Sequence, residues 1–250
     1  MALNEQFIEA CKNGDLELVR EIYSLNPTID ISYRDEYAFR YACENGHLTV
    51  VRQLYDWKPT IDISARDEYA FRWACFNGHL TVVRQLYQWK PTIDISVFDE
   101  EAFRYTCNNG HLTVVRQLYQ WKPTIDISAY QESAFRLACQ YGHLEVVRQL
   151  YKWKPTIDIS ANDEYAFRMA CCNGHLKVVR QLYKWKPTID ISSNDEMAFI
   201  MACFNEHLQV VRQLYDWKPT IDISKLSQYR LLFLSIGITL PNTLTKKNNK

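Results

Sequence analysis

Apolar side chains fall on two alternating stripes along this chain. Leu48, Val51, Leu54 and Tyr55 stand at i, i+3, i+6 and i+7, which lines one face of a helix. Pro59 cannot continue that helix, so it ends near Trp57. Upstream, Ala38, Phe39, Ala42 and Cys43 keep helical spacing after Asp35, a residue suited to capping the first free backbone N–H groups. Glu36 precedes Arg40 by four positions, the favourable order for a charge pair on one helix face. These signals predict a first helix over residues 36–44. Asn45-Gly46 then breaks it, because glycine enters the left-handed region without steric cost. Beyond the second helix, Thr60 to Ser64 alternates Ile61 and Ile63 inward with Asp62 outward, which predicts an extended connector. Two antiparallel helices and a loop make one unit.

The unit recurs. Stepping 32 positions from His47 reaches His79, then His111, His143, His175 and His207, each with nearly the same neighbours. A fixed period of this size marks a solenoid, in which each unit's apolar face is covered by its neighbours. Six similar units are read as 33–64, 65–96, 97–128, 129–160, 161–192 and 193–224. Residues 3–32 form a divergent first unit, in which Phe7, Ala10, Cys11, Gly14, Leu16, Val19 and Pro27 keep the register of Phe39, Ala42, Cys43, Gly46, Leu48, Val51 and Pro59. Its Glu5, Glu9, Lys12, Glu17 and Glu21 supply the polar outer face expected of a cap. After Ser224 the period decays. Gln228 to Ile236 reads as a closing helix within residues 225–236, and residues 237–250 as a polar tail, disordered from Asn242 on. The fold class expected is all-α, a single repeat array over residues 1–236 built as a solenoid of stacked antiparallel helix pairs with short connectors.

Composition mainly narrows the choice. Lys plus Arg total 29 and Asp plus Glu total 29, so no net field draws the chain to nucleic acid or an anionic membrane. Met1 to Gln6 has neither a cationic start nor an apolar run, and the longest apolar stretch, Leu231 to Leu240, falls short of the roughly 20 residues a bilayer span needs. A soluble intracellular protein, cytoplasmic and without membrane contact, is expected. Seven of the eight cysteines (Cys11, Cys43, Cys75, Cys107, Cys139, Cys171 and Cys203) share one repeat position. Packed helices stand about 8–10 Å apart and a disulfide wants Cα atoms within roughly 7 Å, so these are read as small buried thiols. There is no Cys-x-x-Cys. Histidines one unit apart, at roughly 10 Å, cannot share a zinc ion whose nitrogen bonds are about 2.0–2.1 Å, so they are read as braces of the turn. No metal and no cofactor are expected.

Two arginine ladders carry a rival reading: Arg40, Arg72, Arg104, Arg136 and Arg168, and then Arg20, Arg52, Arg84, Arg116, Arg148, Arg180 and Arg212. With Trp57, Trp89, Trp121, Trp153, Trp185 and Trp217 they could hold phosphates and stack bases. Acids of the Asp35, Glu36 and Asp62 type neutralise the ladders, and a tryptophan closing a helix beside a proline packs against the next loop, so nucleic acid is the weaker reading. Catalysis has no footing. The chain has no glycine-rich phosphate loop, no nucleophile motif and no singular acid pair, since each candidate recurs in equivalent surroundings.

Variation between units is concentrated. Residues 48–64, 80–96 and 112–128 differ only at Asp56, Gln88 and Gln120, whereas the first helix changes at three positions. These are Tyr37, Tyr41 and Glu44; Tyr69, Trp73 and Phe76; Glu101, Tyr105 and Asn108; Ser133, Leu137 and Gln140; Tyr165, Met169 and Cys172; Met197, Met201 and Phe204. Spacing of i, i+4 and i+7 puts each triplet on one helical face. They are the candidate partner-binding residues, the outer two positions of each triplet being the better exposed.

Ala-x-x-x-Gly-His-Leu-x-Val-Val-x-x-Leu, from Ala42 to Leu54 and again from Ala74 to Leu86, resembles the helical core of an ankyrin repeat. Ile61-Asp62-Ile63-Ser64-Ala65 is similar to that family's connector, and the resemblance covers residues 3–236. Tyr37-Ala38-Phe39-Arg40 departs from the family's Thr-Pro-Leu-His, so the hydrogen-bonded Thr and His that brace neighbouring repeats there are missing. The near-verbatim Ala-Phe-Arg-x-Ala-Cys-x-Asn-Gly-His-Leu resembles ankyrin-repeat proteins of giant DNA viruses of the mimivirus type, which would place the chain in a host cell. The resemblance implies that the variable face lines a concave groove. It further implies a monomeric, non-catalytic scaffold that binds a partner protein whose identity is unknown. A substrate adaptor for ubiquitin-type degradation is the alternative, and a nucleic-acid binder ranks below it.

Overall fold

The structure, a computed structural model, describes residues 3–221 together with Ser235 and Gly237. The closing helix and polar tail expected past Ser224 otherwise lie outside the described residues. Among those described, every regular element is an α-helix: α1 (Leu3–Asn13), α2 (Leu16–Leu25), α3 (Tyr33–Glu44), α4 (Leu48–Trp57), α5 (Ala65–Phe76), α6 (Leu80–Trp89), α7 (Val97–Asn108), α8 (Leu112–Trp121), α9 (Ala129–Gln140), α10 (Leu144–Trp153), α11 (Ala161–Cys172), α12 (Leu176–Trp185), α13 (Ser193–Phe204) and α14 (Leu208–Trp217). The chain divides into two compact units, Met1–Ala129 and Tyr130–Lys250. In the first, α1, α3, α5 and α7 pack as one row and α2, α4, α6 and α8 as a second, each odd helix also touching the even helix that follows. In the second unit α11 packs on α13, α10 on α12 and α12 on α14, with α11 on α12 and α13 on α14.

The period-32 apolar positions are the core. Phe39, Phe71 and Phe103 with Leu54, Leu86 and Leu118 are fully buried in the first unit, as are Phe135, Phe167, Phe199, Leu150, Leu182 and Leu214 in the second. Each such side chain contributes about 1.5–3 kcal/mol by leaving water. The laddered cysteines lie in the same layer, free and buried, and Cys172 alone is half-buried. Burial pushes the thiols of Cys11 and Cys203 up to about 12 and those of Cys43, Cys75, Cys107, Cys139 and Cys171 well above their ordinary value.

Between the two helices the chain turns on a glycine for two separate reasons. Gly46 has φ +79°, and a Cβ placed on it would lie 2.5 Å from His79 Nδ1. That histidine belongs to the following helix pair. His47 occupies the same place against Gly14, with its Nε2 donating to the Lys12 carbonyl at 2.9 Å. Within each unit, His47, His79, His111, His175 and His207 therefore brace one helix pair to the one before it. Burial holds His79 and His175 below the ordinary histidine value, against the smaller opposing effect of their hydrogen bonds to the Glu44 and Gln140 backbone.

The entry to the first helix differs from expectation. Arg34, Asp35 and Glu36 have φ of 56°, 57° and 61°, a left-handed turn, so the right-handed helix begins only at Tyr37 and Asp35 does not cap it. The same turn opens α5, α7, α9, α11 and α13. An L-residue loses roughly 1–2 kcal/mol in this region, so the turn has to be held by side chains. Arg40 holds it: Nε donates to the Asp35 carbonyl at 2.6 Å and Nη2 to the Arg34 carbonyl at 3.1 Å. Glu36 is buried, and its carboxylate accepts from Ser32 Oγ at 2.6 Å and from the Asp62 N–H at 3.2 Å. The expected Glu36–Arg40 pair is thus replaced by two separate jobs, both done on the turn. The connector also differs. Ile61 and Ile63 point inward as expected, but the path is two successive turns, closed by Ile61 N–H to Lys58 O and Ala65 N–H to Asp62 O.

The first pair makes an incomplete cap. Glu5 pairs with Arg34 at 3.1 Å and Glu9 with Lys12 at 3.8 Å, but Leu3, Leu18 and Leu25 are exposed and border a cavity of about 480 Å³. Leu18 stands where α4 has the buried Val50. The outer face is therefore mixed rather than polar.

Candidate functional site

Residues that vary between helix pairs lie along the row of first helices, and their rings meet. In the first unit Tyr37 and Tyr41 are 4.3 Å apart between ring centroids, Tyr41 and Tyr69 6.1 Å, Tyr69 and Trp73 5.7 Å, Trp73 and Phe76 4.9 Å, and Phe76 and Tyr105 5.9 Å. One aromatic file thus runs across α3, α5 and α7, half-buried except for Tyr105, which is exposed. Such a surface fits recognition, since aromatic residues are enriched in the cores of protein interfaces. The Arg40 guanidinium lies 4.8 Å from the Tyr69 ring centre. Tyr69 donates its hydroxyl to Glu44 Oε2 at 2.7 Å, and burial, followed by the bond to that carboxylate, raises its pKa far above the ordinary value. Glu101 and Asn108 are half-buried on α7, and Glu101 pairs with Arg72.

A cavity of about 300 Å³ opens in this file, lined by Arg72, Trp73, Phe76, Glu101, Ala102 and Tyr105. Trp73, Phe76, Glu101 and Tyr105 were legible as members of the stripe. Arg72 and Ala102 were not, since neither varies as the triplets do, and their role comes from standing next to Trp73 and Glu101 in the chain.

In the second unit the stripe is less aromatic. Tyr165 donates to Gln140 Oε1 at 2.9 Å and lies 5.0 Å from the Arg136 guanidinium, repeating the arrangement of Tyr69. Leu137, Met169, Cys172, Met197 and Met201 are half-buried, and Phe204 is 65% exposed. Ser133 is buried, contrary to the exposure expected of an outer position, and offers no accessible side chain.

The arginine and tryptophan ladders are occupied within the stack. Nε of Arg20, Arg52 and Arg84 donates to Oε1 of Gln53, Gln85 and Gln117 on the next even helix, at 2.8, 2.9 and 2.8 Å. The first arginine ladder is bonded to turn carbonyls rather than to the acids expected to neutralise it. Trp57, Trp89 and Trp121 stack on Tyr23, Tyr55 and Tyr87 of the preceding pair at 3.8–3.9 Å, so one face of each ring is already covered. The stack on the preceding pair is a contact that the repeat pattern of the sequence does not signal. Among the described residues no cluster of His, Cys, Asp or Glu could hold a metal ion, and no helix is long and apolar enough to cross a membrane.

Comparison with known proteins agrees with this geometry. A family model described as ankyrin repeats (3 copies) matches residues 7–99 and 71–163. The crystal structure of the human ASB11 ankyrin repeat domain superposes with a TM-score of 0.57 at 14% identity, covering 78% of this chain and 96% of that one. No curated protein matches the chain.

Proposed function

Starting from the premise that this chain belongs to the ankyrin-repeat family, we propose that it is a non-catalytic scaffold that recognises a partner protein through the first-helix row. Members of the family serve generally as protein-binding scaffolds. The observation that carries the reading is the aromatic file from Tyr37 to Tyr105, set on the first-helix face, where large aromatic and apolar side chains change from pair to pair. Variation among large side chains on an aromatic face is what selection for a particular partner would leave, whereas the second helices from α4 on vary only between polar residues, as at Thr49, Glu145 and Lys177. The second-helix row offers no such face, because its arginines and tryptophans are bonded within the stack.

The test replaces Tyr69 and Phe76 with Asp, checks that the melting profile is kept, and compares affinity capture with a control carrying Thr81→Asp and Gln88→Asp on α6. Loss of capture by the first variant alone supports the reading, and equal capture by both refutes it. Capture repeated without residues 225–250 separates a scaffold from an adaptor whose second contact lies in that segment.

A further inference from the structure

The cavity between α5 and α7 marks the place of a missing ring. At its position in the repeat, α3, α5 and α11 carry Tyr37, Tyr69 and Tyr165, whereas α7 carries Glu101. Tyr69 shows what the ring does when present. It fills the space between Tyr41 and Trp73, lies under the Arg40 guanidinium at 4.8 Å, and sends its hydroxyl to Glu44. Tyr165 repeats the last two contacts with Arg136 and Gln140. With Glu101 in that place, the corresponding space between Trp73 and Tyr105 is left open, and it is the cavity of about 300 Å³.

Resting on the reading of this face as the partner-binding site, we propose that the cavity seats one aromatic side chain of the partner, with a phenyl ring preferred over a phenol. Three features of the cavity select that chemistry. Arg72 Nε is tethered to the Asp67 carbonyl at 2.7 Å, just as Arg40 is tethered to Asp35 at 2.6 Å, and its guanidinium lines the cavity while also lying 4.9 Å from the Phe98 ring centre, as Arg40 lies beside both Tyr37 and Tyr69. A cation held over that seat favours the negative face of an aromatic ring over an aliphatic group of equal size. The position that holds Glu44 for Tyr69 and Gln140 for Tyr165 is Phe76 here, which accepts no hydrogen bond, so a phenol seated as Tyr69 is seated would find no acceptor for its hydroxyl there. The Glu101 carboxylate is already paired with Arg72, which leaves no free charge to draw a cation in.

The experiment uses the full chain and three small probes, toluene, p-cresol and methylcyclohexane, followed through the NMR signals of the Trp73 indole and the Tyr105 ring. Toluene is expected to shift both signals saturably. Methylcyclohexane should bind more weakly, and p-cresol roughly tenfold more weakly than toluene, as for a hydroxyl buried without an acceptor. Glu101→Tyr supplies the ring from within; it should fold with an unchanged or higher melting temperature and abolish the toluene shift. No shift at Trp73 and Tyr105 in the parent chain, equal shifts from all three probes, or a toluene shift that survives Glu101→Tyr would each overturn the proposal. Probe binding needs no partner, so its failure is distinguishable from failure of the capture test on Tyr69 and Phe76.

Discussion

Gly46 is constrained twice, by its left-handed backbone and by the His79 ring resting where a Cβ would stand. Glu206 separates the two effects. It occupies the equivalent position with φ 58°, and the residue 32 places after His207 is Thr239, so no histidine of the ladder follows it in sequence. Gly46→Ala should therefore cost more than the roughly 1–2 kcal/mol of a left-handed L-residue. Combining it with His79→Ala should return part of the excess, measured as a coupling in urea denaturation; strict additivity would mean the ring does not need the space. Cys107 is fully buried with its thiol pushed well above the ordinary range. Cys107→Ala should cost on the order of 1 kcal/mol, and Cys107→Asp more than about 4 kcal/mol, because an unpaired charge would be enclosed. In a native-state thiol reaction Cys172, half-buried on the first-helix row, should modify before Cys43, Cys75, Cys107 or Cys139, and the reverse order would contradict the burial pattern.

Helix positions and breaks were legible in the sequence, because 3.6-residue spacing, Asn45-Gly46 and Pro59 are local signals that agree with one another. The left-handed entry at Arg34, Asp35 and Glu36 was not legible, since none of the three is a glycine. What stabilises that entry is a set of bonds from Arg40, Ser32 and Asp62, which exist only after the chain has folded. The cavity beside Trp73 was hidden for another reason. A pattern of variable residues shows which side chains share a face, whereas a missing ring becomes visible only when Glu101 is set against the packed Tyr69. At this scale the histidine ladder makes a pH prediction. His79 and His175 have folded-state pKa values below the unfolded 6.5, so as pH falls the unfolded chain takes up protons first. Their contribution to stability is whole above about pH 6.5 and declines as pH drops below it. Urea midpoints compared at about pH 7.5 and 5.5 should fall, and His79→Asn with His175→Asn should flatten that fall; an undiminished slope would assign the dependence to other groups.

Stability in a stacked array is close to a sum of pair and neighbour terms, so ends and faces matter more than any single centre. Deleting residues 1–32 removes α1 from α3 and α2 from α4, uncovering the layer around Phe39 and Leu48. The shortened chain should stay helical by circular dichroism yet lose solubility; unchanged solubility would mean that the exposed leucines of the cap already set the limit. The proposal that this chain recognises its partner by the first-helix row is tested most directly by hydroxyl-radical footprinting of the free and partner-bound protein. Aromatic residues that react with the radical stand on both rows, with Met169, Met197 and Met201 added on the first-helix row, so each row reports on itself. The account predicts protection at Tyr41, Trp73, Phe76, Tyr105 and Met201, with Tyr55, Tyr87 and Tyr151 unchanged. Protection of the second-helix tyrosines with the first-helix row left reactive would contradict it.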